Sequence, residues 1–320
     1  VNWQPASGVP VARERAAMLD RARSFFRSRD VLEVDTPALS RYATSDPNID
    51  SLPVTGDRGT TLYLQTSPEA FMKRLLAGGY PDIYAICRVF RGGEAGRLHQ
   101  PEFTMVEWYR HGFGLREIID ETIAFVAGVL ERPALLDAVS LEYRTAFLRF
   151  ANIDPLAASI EELADAAAAD TRLREHLGDD HDAWLDLLLC TRIAPCFPGD
   201  RLAVLQHYPA SQAALAQKCP ADDRVADRFE LFYGAMELAN GFVELRDPYE
   251  QRRRMQSDLV RRRASSRREV PLDEPLLAAL ESGMPDCAGV AVGFDRLLML
   301  ATGATDIRDV VTFAFDDTAD

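Results

Sequence analysis

The chain has 320 residues, of which 47% are hydrophobic and 27% charged, a size for one large domain or two ordinary ones. No run of about 18 apolar residues occurs, so no membrane span is expected, and the start Val1-Asn2-Trp3-Gln4-Pro5 lacks the charged and apolar regions of a signal peptide. A formal net charge of −14 argues against a broad nucleic-acid-gripping surface, because each phosphate contact needs a cation.

Residues 13–29 read as an amphipathic helix, with Met18, Leu19, Ala22, Phe25 and Phe26 recurring at helical spacing between arginines. Residues 31–37 read as a short strand closed by Pro37, and Ser67-Pro68-Glu69 opens a second helix with Pro68 at its first position. Residues 83–91 and 103–109 look like two strands joined by a polar loop. From about 131 to 200 the chain turns Ala-, Leu- and Asp-rich and reads as a helical insertion without chemistry. Strand patterning returns over 201–245, a basic helix follows over 251–268, and a strand runs into a helix over 289–302. Long strands without regular βα alternation predict an α+β fold with an antiparallel sheet flanked by helices. The five cysteines (Cys87, Cys190, Cys196, Cys219, Cys287) are scattered, odd in number and lack a CxxC pair; they read as reduced thiols of a cytoplasmic protein, with no zinc site.

Three segments carry candidate chemistry. In the strand from 103, alternation puts Phe103, Met105, Glu107 and Tyr109 on one face, and an acid among such neighbours needs a cation. Arg91 ends the preceding strand, and the Gly-rich loop between them suits either a flap over a polyphosphate or a surface hairpin with a structural ion pair. In the second segment, Tyr233-Gly234-Ala235-Met236 forms a two-residue hairpin of type II′ preference, pairing Phe232 with Glu237 and Glu230 with Ala239. Glu230 and Glu237 then lie diagonally on one face, which fits a Mg²⁺ site or an exposed acidic hairpin. A bulge at Asn240-Gly241 would bring Asn240, Phe242 and Glu244 to the side of Glu237. Third, in residues 289–296, Gly293 permits close approach of a flat ligand, Asp295 suits a helix cap, and Arg296 suits either a phosphate or a structural acid. Eight arginines over 252–268 read as a solvated face or as a docking patch for an acidic protein or RNA.

Taken together, RVFRGGEAGRLHQPEFTMVEWY resembles motif 2 of class II aminoacyl-tRNA synthetases, GVAVGFDRLLML resembles motif 3, and the helix and strand up to Pro37 resemble the dimer-forming motif 1. TSPEAFMKRLL and DRFELFYGAMELANGFVEL resemble the lysyl branch. Only about a dozen residues precede the motif 1 helix, which leaves no room for the branch's anticodon-binding domain. HYPASQAALAQ, MELANGFVEL and MPDCAGVAVGFDRL resemble the truncated paralogues that modify elongation factor P, and Ala291 stands where tRNA-charging relatives typically have glycine.

The resemblance implies one catalytic domain over 1–320 with the insertion at about 131–200, a homodimer, ATP and Mg²⁺ as cofactors, lysine or β-lysine as substrate, and elongation factor P rather than tRNA as partner. Arg91 and Arg296 become the catalytic pair, on the α- and γ-phosphates. Gly93, Glu94, His99, Gln100, Phe103, Glu237, Leu238 and Gly293 complete the ATP site, and Glu230 with Glu237 holds Mg²⁺. Ser67, Pro68, Glu69, Glu107, Tyr109, Asn240, Phe242, Glu244 and Ala291 shape the amino-acid pocket. The chain departs from the family at Gly93, where a glutamate is usual; Glu94 follows it.

Overall fold

A computed structural model describes residues 3–315, so Val1 and Asn2 of the leader reading lie outside the described residues. In chain order the elements are α1 (Val9–Arg27), β1 (Leu32–Glu33), β2 (Leu39–Ser40), β3 (Pro53–Thr55), β4 (Thr61–Leu64), α2 (Glu69–Ala77), β5 (Ile83–Phe90), β6 (Glu102–His111) and α3 (Leu115–Val129). There follow β7 (Val139–Glu142), α4 (Tyr143–Ala151), α5 (Ile160–Ala166), α6 (Thr171–Leu177), α7 (His181–Leu188), β8 (Leu202–Gln206), β9 (Lys218–Cys219), β10 (Asp222–Ala226), β11 (Arg228–Tyr233) and β12 (Met236–Val243). The last are α8 (Pro248–Ala264), α9 (Glu274–Gly283), β13 (Cys287–Gly293) and α10 (Phe294–Thr302). No helix among the described residues is long and apolar enough to cross a membrane.

The fold is α+β and divides into two compact units. One holds the chain up to Gly112, Gly128–Arg132 and the chain from Arg246; the other holds Phe113–Ala127 and Pro133–Leu245.

In the first unit, β1, β5, β6 and β13 pair in that order, antiparallel except for the parallel β1–β5 pair. The strand expected over 31–37 contributes only two residues, after which Val34 N still donates to Tyr84 O at 2.8 Å before Pro37 ends the pairing. Helix α1 starts earlier than the apolar spacing suggested, because Pro10 suits the first turn of a helix. It buries Met18, Ala22 and Phe26, and the Phe26 ring stacks on Tyr84 at 4.1 Å and meets Trp108 edge-on at 5.3 Å. A separate core joins Met72 and Leu76 of α2, Ile83, Ala85 and Tyr109 of the sheet, Leu276, Leu277 and Leu280 of α9, and Met255 of α8.

In the second unit, β12, β11 and β8 are antiparallel and β7 joins β8 in parallel. The stretch expected as a helical insertion therefore also contributes a sheet strand, β7, near its start. Parallel neighbours need a long crossover, and α4 to α7 supply it. Asp170 and Asp180 cap α6 and α7, and Ser159 with Glu162 forms a capping box on α5. Tyr143, Phe147, Trp184, Leu188, Tyr208 and Phe232 are among the side chains filling this unit's core. The expected all-antiparallel sheet is thus mixed, with one parallel pair in each unit.

Candidate functional site

In the first unit the geometry centres on Glu107. It lies mid-strand on β6, opposite Ala85 of β5 and Ala291 of β13, and is only 3% exposed. Ser67 Oγ donates to its Oε2 at 2.9 Å, and the Tyr109 hydroxyl donates to Oε1 at 2.7 Å. The same Ser67 oxygen accepts from Glu69 N at 3.0 Å, which ties the start of α2 to the strand. Pro68 is the residue before α2 rather than its first position. Glu69 in turn meets the ammonium of Lys73 at 2.7 Å, and Lys73 is 1% exposed. Burial and the charge of Glu69 push the Glu107 carboxyl up to about 7, against the pull of Tyr109, Ser67 and Lys73. Lys73 was absent from the sequence reading; its signal was the i,i+4 spacing from Glu69.

The motif 2 loop follows β5. Arg91 N donates to Pro101 O, and the guanidinium lies 5.1 Å from the centre of the Phe103 ring and 3.8 Å from Glu94. The buried Arg91 Nε has no hydrogen-bond partner among the described residues, a donor suited to an anionic group. Gly93 has φ +76, a left-handed conformation in which glutamate would be strained. The acid of this loop is the next residue, Glu94, within reach of Arg91. Arg296, in the first turn of α10, donates to Leu98 O and lies 2.9 Å from His99 Nε2, which accepts. Gln100 is buried, and its Oε1 accepts from Phe315 N at 2.7 Å. Gly293 pairs with Met105, so Gly289, Ala291 and Gly293 stand beside Tyr109, Glu107 and Met105 on one face.

Asp295 does not cap α10. Its carboxylate accepts from Thr104 N at 2.6 Å and pairs with Arg15 at 2.5 Å, because helix α1 brings a cation to it. The arginines over 252–268 are also mostly engaged within their own unit. Arg252 forks onto Glu274, Arg253 and Arg254 share Glu250, and Arg263 meets Glu269. Arg262 is 2% exposed and bonds Asp50 and the carbonyls of Asp46 and Ile49; Arg267 also takes Asp50.

In the second unit, Tyr233 pairs with Met236 across a turn in which Gly234 has φ +54, as a II′ hairpin requires. Phe232 pairs with Glu237 as expected, but Glu230 pairs with Asn240 instead of Ala239. The bulge therefore sits at Leu238, after two paired residues past the turn, and not at Asn240-Gly241. Cross-strand partners point to one face, so Arg228, Glu230, Glu237, Asn240 and Phe242 share it. Arg228 donates to Glu230 Oε1 at 2.6 Å and to Asn240 Oδ1 at 3.2 Å, and Tyr208 donates to Glu230 Oε2 at 2.6 Å. Burial, then the charge of Glu237, push the Glu230 carboxyl up to about 7. Two acidic side chains on one face, with Glu230 accepting a hydrogen bond at each oxygen, form a donor set that fits a hard divalent cation. Arg228 and Tyr208 were missed in the sequence, although Arg228 shares the parity of Glu230. Glu244 is 1% exposed, bridges to Ala216, and follows Phe242, which packs on Ala213, Ala216 and Ala226.

The family model for class II tRNA synthetases (D, K and N) matches residues 10–317, and the chain belongs to that family. Among curated relatives, it is 44% identical to the elongation factor P–(R)-β-lysine ligase of Klebsiella pneumoniae over 98% of both chains. It is 43% identical to proteins of the same name from Photorhabdus laumondii, over 98% of this chain and 97% of that one, and Salmonella arizonae, over 98% of both.

Proposed function

We propose that the chain is an ATP-dependent, AMP-forming ligase that activates (R)-β-lysine, or lysine, as an adenylate and transfers it to a lysine side chain of elongation factor P. The observation that carries this reading is the kinship, at 43–44% identity over 98% of the chain, to proteins bearing that name. The amino-acid carboxylate attacks the α-phosphorus of ATP in line and pyrophosphate leaves. The ε-amino nitrogen of the acceptor lysine then attacks the acyl carbon, AMP leaves, and the amine proton passes to solvent.

In the first unit, Arg91 and Arg296 bind phosphate oxygens, with Arg91 opposing charge that develops in the transition state. Glu94, His99, Gln100, Phe103 and the backbone at Gly93 and Gly293 bind the nucleotide. Ser67, Pro68, Glu69, Glu107, Tyr109 and Ala291 receive the amino acid, with Glu107 offering its carboxyl to an amino group of the substrate, and the buried carboxylate of Glu244 selects a distal ammonium by charge. In the second unit, Glu230 and Glu237 would hold Mg²⁺, which when bound would offset the charge of the leaving pyrophosphate. Leu238 lies with them on the nucleotide side, and Asn240, Phe242 and Glu244 contact the substrate. The chain acts as one catalytic domain with an insertion at about 131–200, as a cytoplasmic homodimer.

ATP–pyrophosphate exchange tests the first step. Exchange that depends on (R)-β-lysine, exceeds that with lysine and is lost in Arg91→Ala supports the reading. Absence of exchange with either amino acid contradicts it.

A further inference from the structure

Apart from every residue given a role above, the second unit gathers His207, Cys219 and Asp227, with one donor atom of each within 4.8 Å of the others. Three elements bring them together. His207 directly follows β8, with φ +58, a left-handed conformation uncommon outside glycine, and its N–H donates to Arg228 O at 2.9 Å. Cys219 ends β9, and Asp227 stands between β10 and β11, its N–H donating to Gln217 O at 3.0 Å.

The imidazole is held from behind. Its Nδ1 lies 2.6 Å from Glu142 Oε2, while Glu142 Oε1 accepts from Gln206 at 2.8 Å. This turns Nε2 toward Asp227 Oδ1, 3.5 Å away, and the Cys219 sulfur stands within 4.8 Å of a ring nitrogen of His207 and a carboxylate oxygen of Asp227. A carboxylate on the far nitrogen of a histidine is the usual support of a metal-ligating imidazole. Sulfur, imidazole nitrogen and carboxylate oxygen together select zinc over magnesium or calcium.

We propose that His207 Nε2, Cys219 Sγ and the Asp227 carboxylate bind one zinc ion, with Glu142 as positioning residue. Binding fastens the β9–β10 hairpin to the end of β8, and the protons of the thiol and of Nε2 pass to solvent. Spacing along the chain concealed the group, since the three ligands come from separate elements and no CxxC pair marks them.

The test uses the full chain, stripped with chelator and titrated with cobalt(II) and then zinc. The expected result is one metal per chain, a thiolate-to-cobalt absorption band, and zinc protection of Cys219 from alkylation, read by peptide mass. Cys219→Ser abolishes the band and weakens zinc by at least about 100-fold, whereas Cys196→Ser changes neither. Failure of the wild-type chain to retain zinc at micromolar free metal, or equal retention by Cys219→Ser, overturns the proposal and leaves His207 as an imidazolium bridging Glu142 and Asp227. Should Cys219→Ser fail to fold, the alkylation of the wild-type thiol with and without zinc decides by itself. Pyrophosphate exchange reads the ligase function separately from all of these.

Discussion

Arg228 and Glu230 stand two residues apart on β11, and their side chains meet at 2.6 Å on the face that also carries Glu237 and Asn240. Both are largely withdrawn from solvent, with side-chain exposures of 15% and 12%. Removing one partner of such a pair leaves the other charge buried. Arg228→Gln is expected to cost about 3–5 kcal/mol in urea denaturation. The double variant with Glu230→Gln recovers part of that loss, and a cycle without recovery would show that the pair is not coupled.

The proton on Glu230 competes with a cation. Its carboxyl titrates near 7 instead of 4.5, so between those values the folded chain holds a proton that the unfolded chain has released. This group therefore lowers stability as pH rises through that window. A metal bound by the carboxylate must displace the proton, so Mg²⁺ affinity should weaken by about tenfold from pH 8 to pH 6. Glu230→Gln should bind Mg²⁺ weakly with a flatter profile, as measured by calorimetry.

The Glu107 carboxyl, also raised to about 7, disfavours the folded state when ionised. Glu107→Gln is accordingly expected to leave the melting temperature at pH 8 unchanged or higher. It should lower kcat/KM for β-lysine by about 100-fold, on the order of a lost charge-assisted hydrogen bond. A fall in stability with activity retained would make Glu107 structural.

Ala291 stands directly opposite Glu107 across the β6–β13 pair. Its methyl group narrows the space beside that carboxylate. Ala291→Gly should shift the ratio of kcat/KM values toward α-lysine by about tenfold, the scale of one methylene in a pocket. An unchanged ratio would place the selection of β-lysine elsewhere.

Trp184 is fully buried in the core of the second unit, where its indole N–H donates to Gly178 O at 3.0 Å. Trp184→Ala should cost about 3–5 kcal/mol of stability. This variant tests whether the Ala-rich stretch is a packed part of the enzyme.

Strong local signals were readable in the sequence. The β5 and β6 strands, the face carrying Glu107 and Tyr109, the II′ turn at Gly234, and the strand running into α10 all appear as expected. Features that depend on distant partners were not readable. Asp295 had the look of a cap, but Arg15, 280 positions away, takes its carboxylate. The eight arginines over 252–268 read as either a solvated face or a docking patch; at least six of them pair with acids of their own unit, Arg262 and Arg267 through Asp50, far away in sequence. Parity and glycine content place the bulge at Asn240-Gly241, whereas the strand takes its extra residue at Leu238, between the paired Glu237 and Ala239. Lys73 and Arg228 do carry local signals, an i,i+4 spacing from Glu69 and the strand parity of Glu230, but only the folded backbone shows that these pairs are withdrawn from solvent.

The central claim is the transfer of an activated β-lysine to protein. Its most direct measurement is intact and peptide mass spectrometry of elongation factor P after incubation with this chain. The account predicts a gain of one β-lysyl residue on a single lysine, requiring both ATP and (R)-β-lysine and absent with Arg91→Ala. Unmodified factor alongside charged tRNA, or unmodified factor while pyrophosphate exchange proceeds, would contradict it.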